Sequence, residues 1–205
     1  DGNLLGAGEP DPHWILEYSD DFDYEGPDTF TIKPGFPVGP WVEEGPDSRW
    51  IAPQPDQGTG NASGDYLYRI TFDLSEFDHE TATITGKWSS DNGGPDVLLN
   101  DESTGIKTTS GFGGFTGFEI TSGFVEGINT LDFKVNNAPP DINPTGVRVE
   151  LNGTAKELPP KGTPPSITTQ PIATTAPEGD SVSFRAAVDG SRPLAYQWQL
   201  NGQDI

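Results

Sequence analysis

The clearest signal along the chain is two-residue alternation. Tyr66, Tyr68, Ile70, Phe72 and Leu74 share one face of an extended segment, and Leu67, Arg69, Thr71 and Asp73 share the other. Successive side chains of a strand point to opposite faces, so the pattern predicts a half-buried strand over 66–74. The same period groups Ile84, Gly86 and Trp88 in 81–89, Leu131, Phe133 and Val135 in 130–135, and Val147, Val149 and Leu151 in 145–151. Residues 115–121 alternate as well. Short apolar runs over 13–18, 29–33, 48–52 and 97–100 bring the set to about nine strands, as a two-sheet antiparallel sandwich requires. No segment carries the i, i+3, i+4 apolar period of a good helix.

Between these runs the punctuation is glycine and proline, which supply 46 of the 205 residues. Turns this frequent between short alternating runs fit an all-β class. The stretch Gly35–Pro46, around Trp41, has no period and predicts a loop or irregular edge. Gly111–Gly117 predicts a flexible lead into the next strand. Neither has the strand–loop–helix setting of a phosphate-cradling loop, which argues against nucleotide binding. Four prolines fall within Glu157–Ser166. They cannot sit in a paired strand and stiffen a linker. This predicts a first domain over 1–157, a linker over 158–165 and a second unit over 166–205.

Charge narrows the partners. Thirty-two acidic residues face eleven basic ones, for a net charge of −21. A nucleic acid needs a basic surface, so DNA and RNA are excluded as partners, and anionic membranes are disfavoured. No apolar run is long enough to cross a bilayer, so no membrane insertion is expected. The acidity suits solubility in salty water, or binding of calcium, a hard cation that prefers carboxylate and carbonyl oxygens. The chain has no cysteine, so packing or metal must hold it together without disulfides. It has no methionine either, which points to a processed or excised segment.

Two resemblances add to this. The tail from Pro165 to Ile205 resembles bacterial immunoglobulin-like repeats of surface proteins. The matching residues include Pro165-Ser166-Ile167-Thr168, Glu178-Gly179-Asp180-Ser181-Val182-Ser183-Phe184, and Pro193-Leu194-Ala195-Tyr196-Gln197-Trp198. Trp198 matches the core tryptophan of strand C of that fold. Ala186 stands where the strand-B cysteine would be. The match ends after strand C, which implies an incomplete domain with an open face. Either the chain continues, or another molecule completes it by self-association or strand addition. Residues 11–155 are similar to a jelly-roll module of large secreted bacterial proteins. The match runs through Ser48-Arg49-Trp50-Ile51, Tyr68-Arg69-Ile70-Thr71-Phe72-Asp73-Leu74, Ile84-Thr85-Gly86-Lys87-Trp88, Val97-Leu98-Leu99-Asn100 and Asn143-Pro144-Thr145-Gly146-Val147. The pattern resembles galactose-binding-like and carbohydrate-binding modules. That resemblance implies a secreted, non-catalytic protein that binds a polysaccharide or glycan, with calcium as a structural cofactor.

Candidate chemistry follows. Only His13 and His79 are available to act as bases, and neither lies in a nucleophile or zinc motif. Among 32 acids some pair will stand at glycosidase spacing by chance, so carboxylates alone carry no catalytic signal. No enzyme activity is expected. For calcium, Asp20, Asp21, Asp23 and Glu25 form a tight run broken by Phe22 and Tyr24. As a strand it would put Asp21, Asp23 and Glu25 on one side; as a loop it is simply solvated. It lacks the spacing and glycine of an EF-hand. Asp91, Asn92 and Asp96 flank Gly93-Gly94-Pro95 and form the second candidate, against the reading of an ordinary turn. A sugar ring needs an aromatic platform and polar groups. Trp41, unexplained by alternation, is the first candidate platform, with Tyr24 and Phe36 behind it. Arg148 alternates outward and suits a ligand hydroxyl or an acidic neighbour. Trp14, Trp50 and Trp88 suit the core or a sheet edge. Phe112, Phe115, Phe118 and Phe124 suit the core better than an exposed patch.

Overall fold

The computed structural model describes residues 4–35, 39, 41–139, 142–158 and 162–205. The chain divides into two units, Asp1–Leu158 and Pro159–Ile205.

The first unit is a β-sandwich of two five-stranded antiparallel sheets. Its strands are β1 (Ile15–Ser19), β2 (Phe30–Thr31), β3 (Ile51–Ala52), β4 (Gly64–Asp73), β5 (Phe77–Asp91), β6 (Gly93–Leu99), β7 (Glu102–Ser103), β8 (Thr116–Ile120), β9 (Ile128–Asn137) and β10 (Gly146–Glu157). One sheet runs β1-β4-β9-β6-β7 and the other β2-β3-β10-β5-β8. The chain crosses between sheets at each of the steps β4 to β5 to β6 and β8 to β9 to β10. The two sheets therefore share one core and cannot be separated along the sequence.

Alternation decides that core. Tyr66 and Tyr68 of β4, Trp88 of β5, Val97 of β6, Leu131, Phe133 and Val135 of β9, and Val147 of β10 are all fully buried. Phe133 is the hub. The rings of Trp14, Trp88 and Phe118 meet it edge-on, with centroids 5.2–5.8 Å away. Aromatic pairs favour this arrangement because a positive ring edge meets a negative face. Gly86 makes room for Phe118. A Cβ there would lie 2.5 Å from the Glu150 carbonyl oxygen and 2.7 Å from the Phe118 ring.

A second, smaller core forms on the outer face of the β10 sheet. On β3, Ile51 faces inward, so Trp50 and Ala52 face outward. They pack with Ile32 and Trp41, with Val42 and Phe112 against them. Residues 41–50 lie over this face as an irregular flap. It is stitched down by Trp50 Nε1 donating to the Val42 carbonyl (2.8 Å) and by Val42 N–H donating to the Phe112 carbonyl (2.8 Å).

The second unit holds the antiparallel pair β11 (Ser166–Thr169) and β12 (Ala187–Asp189) and the hairpin β13 (Gln199–Leu200) and β14 (Gln203–Asp204). Its large apolar side chains stay open to solvent, with Ile167, Phe184, Tyr196 and Trp198 all exposed. A groove of about 420 Å³ runs between Pro165, Ile167, Val188, Leu194, Tyr196 and Trp198.

Candidate functional site

One end of the sandwich gathers four loops: 20–29, 53–63, 91–93 and the part of 138–145 that is described. What binds them together is a buried polar network. Asp21, just past β1, is the anchor. Its Oδ2 accepts the side-chain amide of Asn61 and the backbone N–H of Ala62, both at 2.9 Å, and its Oδ1 accepts the N–H of Asp23 at 3.1 Å. Asn61 also exchanges two backbone hydrogen bonds with Asn143, at 2.8 and 3.0 Å. The buried amide of Asn137, at the end of β9, donates to the carbonyls of Asn61 (3.1 Å), Ala62 (3.0 Å) and Asn143 (3.3 Å). Gln57 donates to Asn61 Oδ1 at 3.0 Å and accepts from Thr145 N–H at 2.8 Å. Thr145 in turn donates to the Asp91 carbonyl at 2.6 Å. Buried polar groups must be paired, and a paired network fixes loop geometry more sharply than apolar packing does.

This framework presents apolar side chains to water. Phe22 stands at the tip of the 20–29 turn and is 88 % exposed, the most open large apolar side chain among the described residues. Tyr18 and Tyr24 flank it, both exposed. Ile142, beside Gly60 across the network, is 68 % exposed. Asp20 accepts the Asp65 N–H at 2.7 Å and the Tyr18 hydroxyl, which together hold its carboxyl below the usual range and push the Tyr18 phenol up. Phe22 and Tyr24 alternate with Asp21, Asp23 and Glu25, and that spacing alone does not separate a core face from an exposed one.

The residues expected to bind ligand are dispersed. Trp41 is no exposed platform. It is 7 % exposed and lies on Trp50 with ring centroids 4.4 Å apart. The reason is that outward-facing Trp50 needs a cover, and the aperiodic flap supplies it. Arg148 does face outward, but under the flap. It donates to Ser48 Oγ (2.7 Å) and the Glu43 carbonyl, reaches Glu150 (3.4 Å), and stacks over Phe115 at 4.9 Å. Its role is to hold the flap, and burial lowers its pKa. Tyr24 is exposed at the loop end. Phe36 lies outside the described residues.

The acidic candidates do not converge. Residues 20–25 form a turn rather than a strand, so alternation does not align Asp21, Asp23 and Glu25. Asp21 points inward to the N–H groups above, while Asp23 and Glu25 are exposed. Asp96 accepts Val97 N–H (2.9 Å), Gly105 N–H (3.1 Å) and Ser103 Oγ (2.5 Å), which closes the turn to β7. Asn92 Oδ1 accepts the Ala138 N–H at 2.6 Å. Asp91 is buried under the flap. Among the described residues no group of three or more His, Cys, Asp or Glu could hold a metal ion. No helix there is long and apolar enough to cross a membrane.

A shallow polar groove of about 530 Å³ lies beside this end, lined by Asn92, Gly93, Lys107, Thr109, Lys134 and Asn136. Lys134 within it pairs with Asp65 at 3.0 Å. No protein-family model, curated protein or solved structure matches this chain.

Proposed function

We propose that the first unit is a non-catalytic, jelly-roll-type glycan-binding or adhesive module of a secreted bacterial multidomain protein, and that it takes its ligand at the loop end. The observation that carries this reading is Phe22. Exposing a whole phenylalanine ring forgoes roughly 2 kcal/mol of burial, so a fold that fixes one at the tip of a hydrogen-bonded turn suits a ligand face. A sugar ring stacks its apolar face on such a side chain, with Tyr18 and Tyr24 beside it and loop amides and hydroxyls around. The platform is thus Phe22 in place of Trp41, and Arg148 has no part in it.

The test is a polysaccharide screen by affinity electrophoresis on the whole chain. One glycan class should retard the protein, and Phe22→Ala should abolish the retardation without moving the melting temperature. Retardation unchanged in the variant would place the site elsewhere; no retardation by any glycan would remove the binding reading.

A second reading rests on a different observation, the open face of the second unit. Ile167, Tyr196 and Trp198 line a groove shaped for an extended segment, as in an immunoglobulin-like domain completed by strand addition. On that reading the chain is an assembly unit of a surface layer, stalk or filament, and concentration-dependent oligomers in sedimentation would support it.

A further inference from the structure

Asp91 ends β5 on the face covered by the flap. It is 3 % exposed, and its Oδ1 has no hydrogen-bond partner. The one group that favours its ionised form is the Trp41 side chain, by hydrogen bonding. Among the described residues no cation pairs with it; Lys107, on the segment beside the end of β5, is exposed and lines the outer groove with Asn92 without reaching Asp91. Arg148 on β10 is committed to Ser48, Glu43 and Glu150. Lys87, earlier on β5, pairs with Glu150 at 2.8 Å, and Arg49 on the flap pairs with Glu44 at 2.5 Å. On β6, Asp96 is closed in its own turn, and in the segment 107–116 the one charge is that of exposed Lys107. A carboxylate buried without a cation must either keep its proton or reach water.

We propose that residues 41–50 are a pH-sensitive latch, shut over the outer sheet face while Asp91 is protonated and released when Asp91 ionises. Release gives the carboxylate water and bares the Trp41–Trp50 pair, an aromatic surface that the shut flap hides. The flap is suited to this. It has no strand pairing of its own before β3, and its ties to the sheet are the Val42 N–H bond to Phe112, the Trp50 carbonyl bond to Ile32 and the side-chain bonds of Arg148 and Ser48, so it can lift as one segment when those ties break. Burial supports the same conclusion, raising the Asp91 carboxyl from 3.8 to about 7. The sign follows from linkage. The shut state holds its proton more tightly than the open state, so shutting is favoured at low pH and lost as pH rises through about 7. That gap corresponds to a roughly thousand-fold rise in the opening equilibrium between about pH 4 and pH 8.

Amide hydrogen exchange on the whole chain tests the latch. The Val42 N–H, bonded to the Phe112 carbonyl, reports the flap, and the Phe133 N–H in β9 reports the core. After division by the intrinsic chemical rate, Val42 protection should fall by roughly 10²-fold or more from pH 5 to pH 8, with Phe133 unchanged. In Asp91→Asn, which cannot ionise, Val42 protection should be flat with pH. Equal pH dependence in wild type and variant, or none in either, overturns the proposal. Direct carbon-13 titration of the wild-type Asp91 carboxyl needs no variant: a midpoint near 7 agrees with the latch, and one below about 5 overturns it.

Discussion

A single carboxylate, Asp21, accepts N–H groups from its own turn, from the Asn61 side chain and from the Ala62 backbone. Removing it leaves buried donors with nothing to accept them, which costs more than the bonds themselves contribute. Asp21→Ala should therefore lower stability by about 2–4 kcal/mol in urea unfolding, whereas Asp23→Ala, at an exposed site, should change it by under about 0.5 kcal/mol. The same commitment bears on calcium. With Asp21 turned inward and Asp23 and Glu25 left outside, millimolar calcium should shift the melting temperature by less than about one degree; a rise of several degrees would mean a cation held by the native state. Residue types alone revealed the acids but not their partners. An Asp in an acidic run looks the same whether it ligates an ion or caps a turn. The choice here is made by Asn61 and Ala62, forty residues away.

Among the elements, β5 and β10 carry the second sheet. They pair from Asp91 opposite Gly146 to Phe77 opposite Glu157. Gly86 lies in the middle of this ladder, against the Glu150 carbonyl and the Phe118 ring. Gly86→Val should cost about 2–3 kcal/mol or more in unfolding free energy, despite valine's preference for strands, because the core has no room for its methyl groups. On the other sheet Arg69 of β4 grips fully buried Asp132 of β9 through Nε (2.6 Å) and Nη2 (2.7 Å), with Glu17 and Asp101 around it. These strands were legible because one face is apolar and the other wet. Tyr66 to Leu74 and Leu131 to Val135 state that contrast directly, and the two ranges pair in the structure. The flap was not legible. Trp41 has no partner at spacing 2, so a cover for Trp50 and an exposed platform look identical in the chain. The signal that separates them is Trp50 itself, which alternates against inward-facing Ile51 and therefore needs something above it.

For the whole molecule, what positions the candidate site is the crossing of the chain between two sheets. Every crossing at one end leaves a loop, and Asn61, Asn137, Asn143 and Gln57 bind those loops into one surface. The composition, without cysteine, fits that means of support. Amides do at this end what a disulfide would otherwise do, and they fix a face instead of a single point. Among the described residues of the second unit no such framework is present, and Ile167, Phe184, Tyr196 and Trp198 stay in solvent, which is what the proposed assembly reading rests on.

The proposed ligand face is the loop end of the first unit. The most direct measurement is backbone chemical-shift mapping of the labelled chain, titrated with the glycan that retards it most. Shifts are expected to be confined to residues 18–25, 60–62 and 142–143, and lost in Phe22→Ala. Shifts concentrated on an outer sheet face or in the second unit, with 18–25 unmoved, would contradict it.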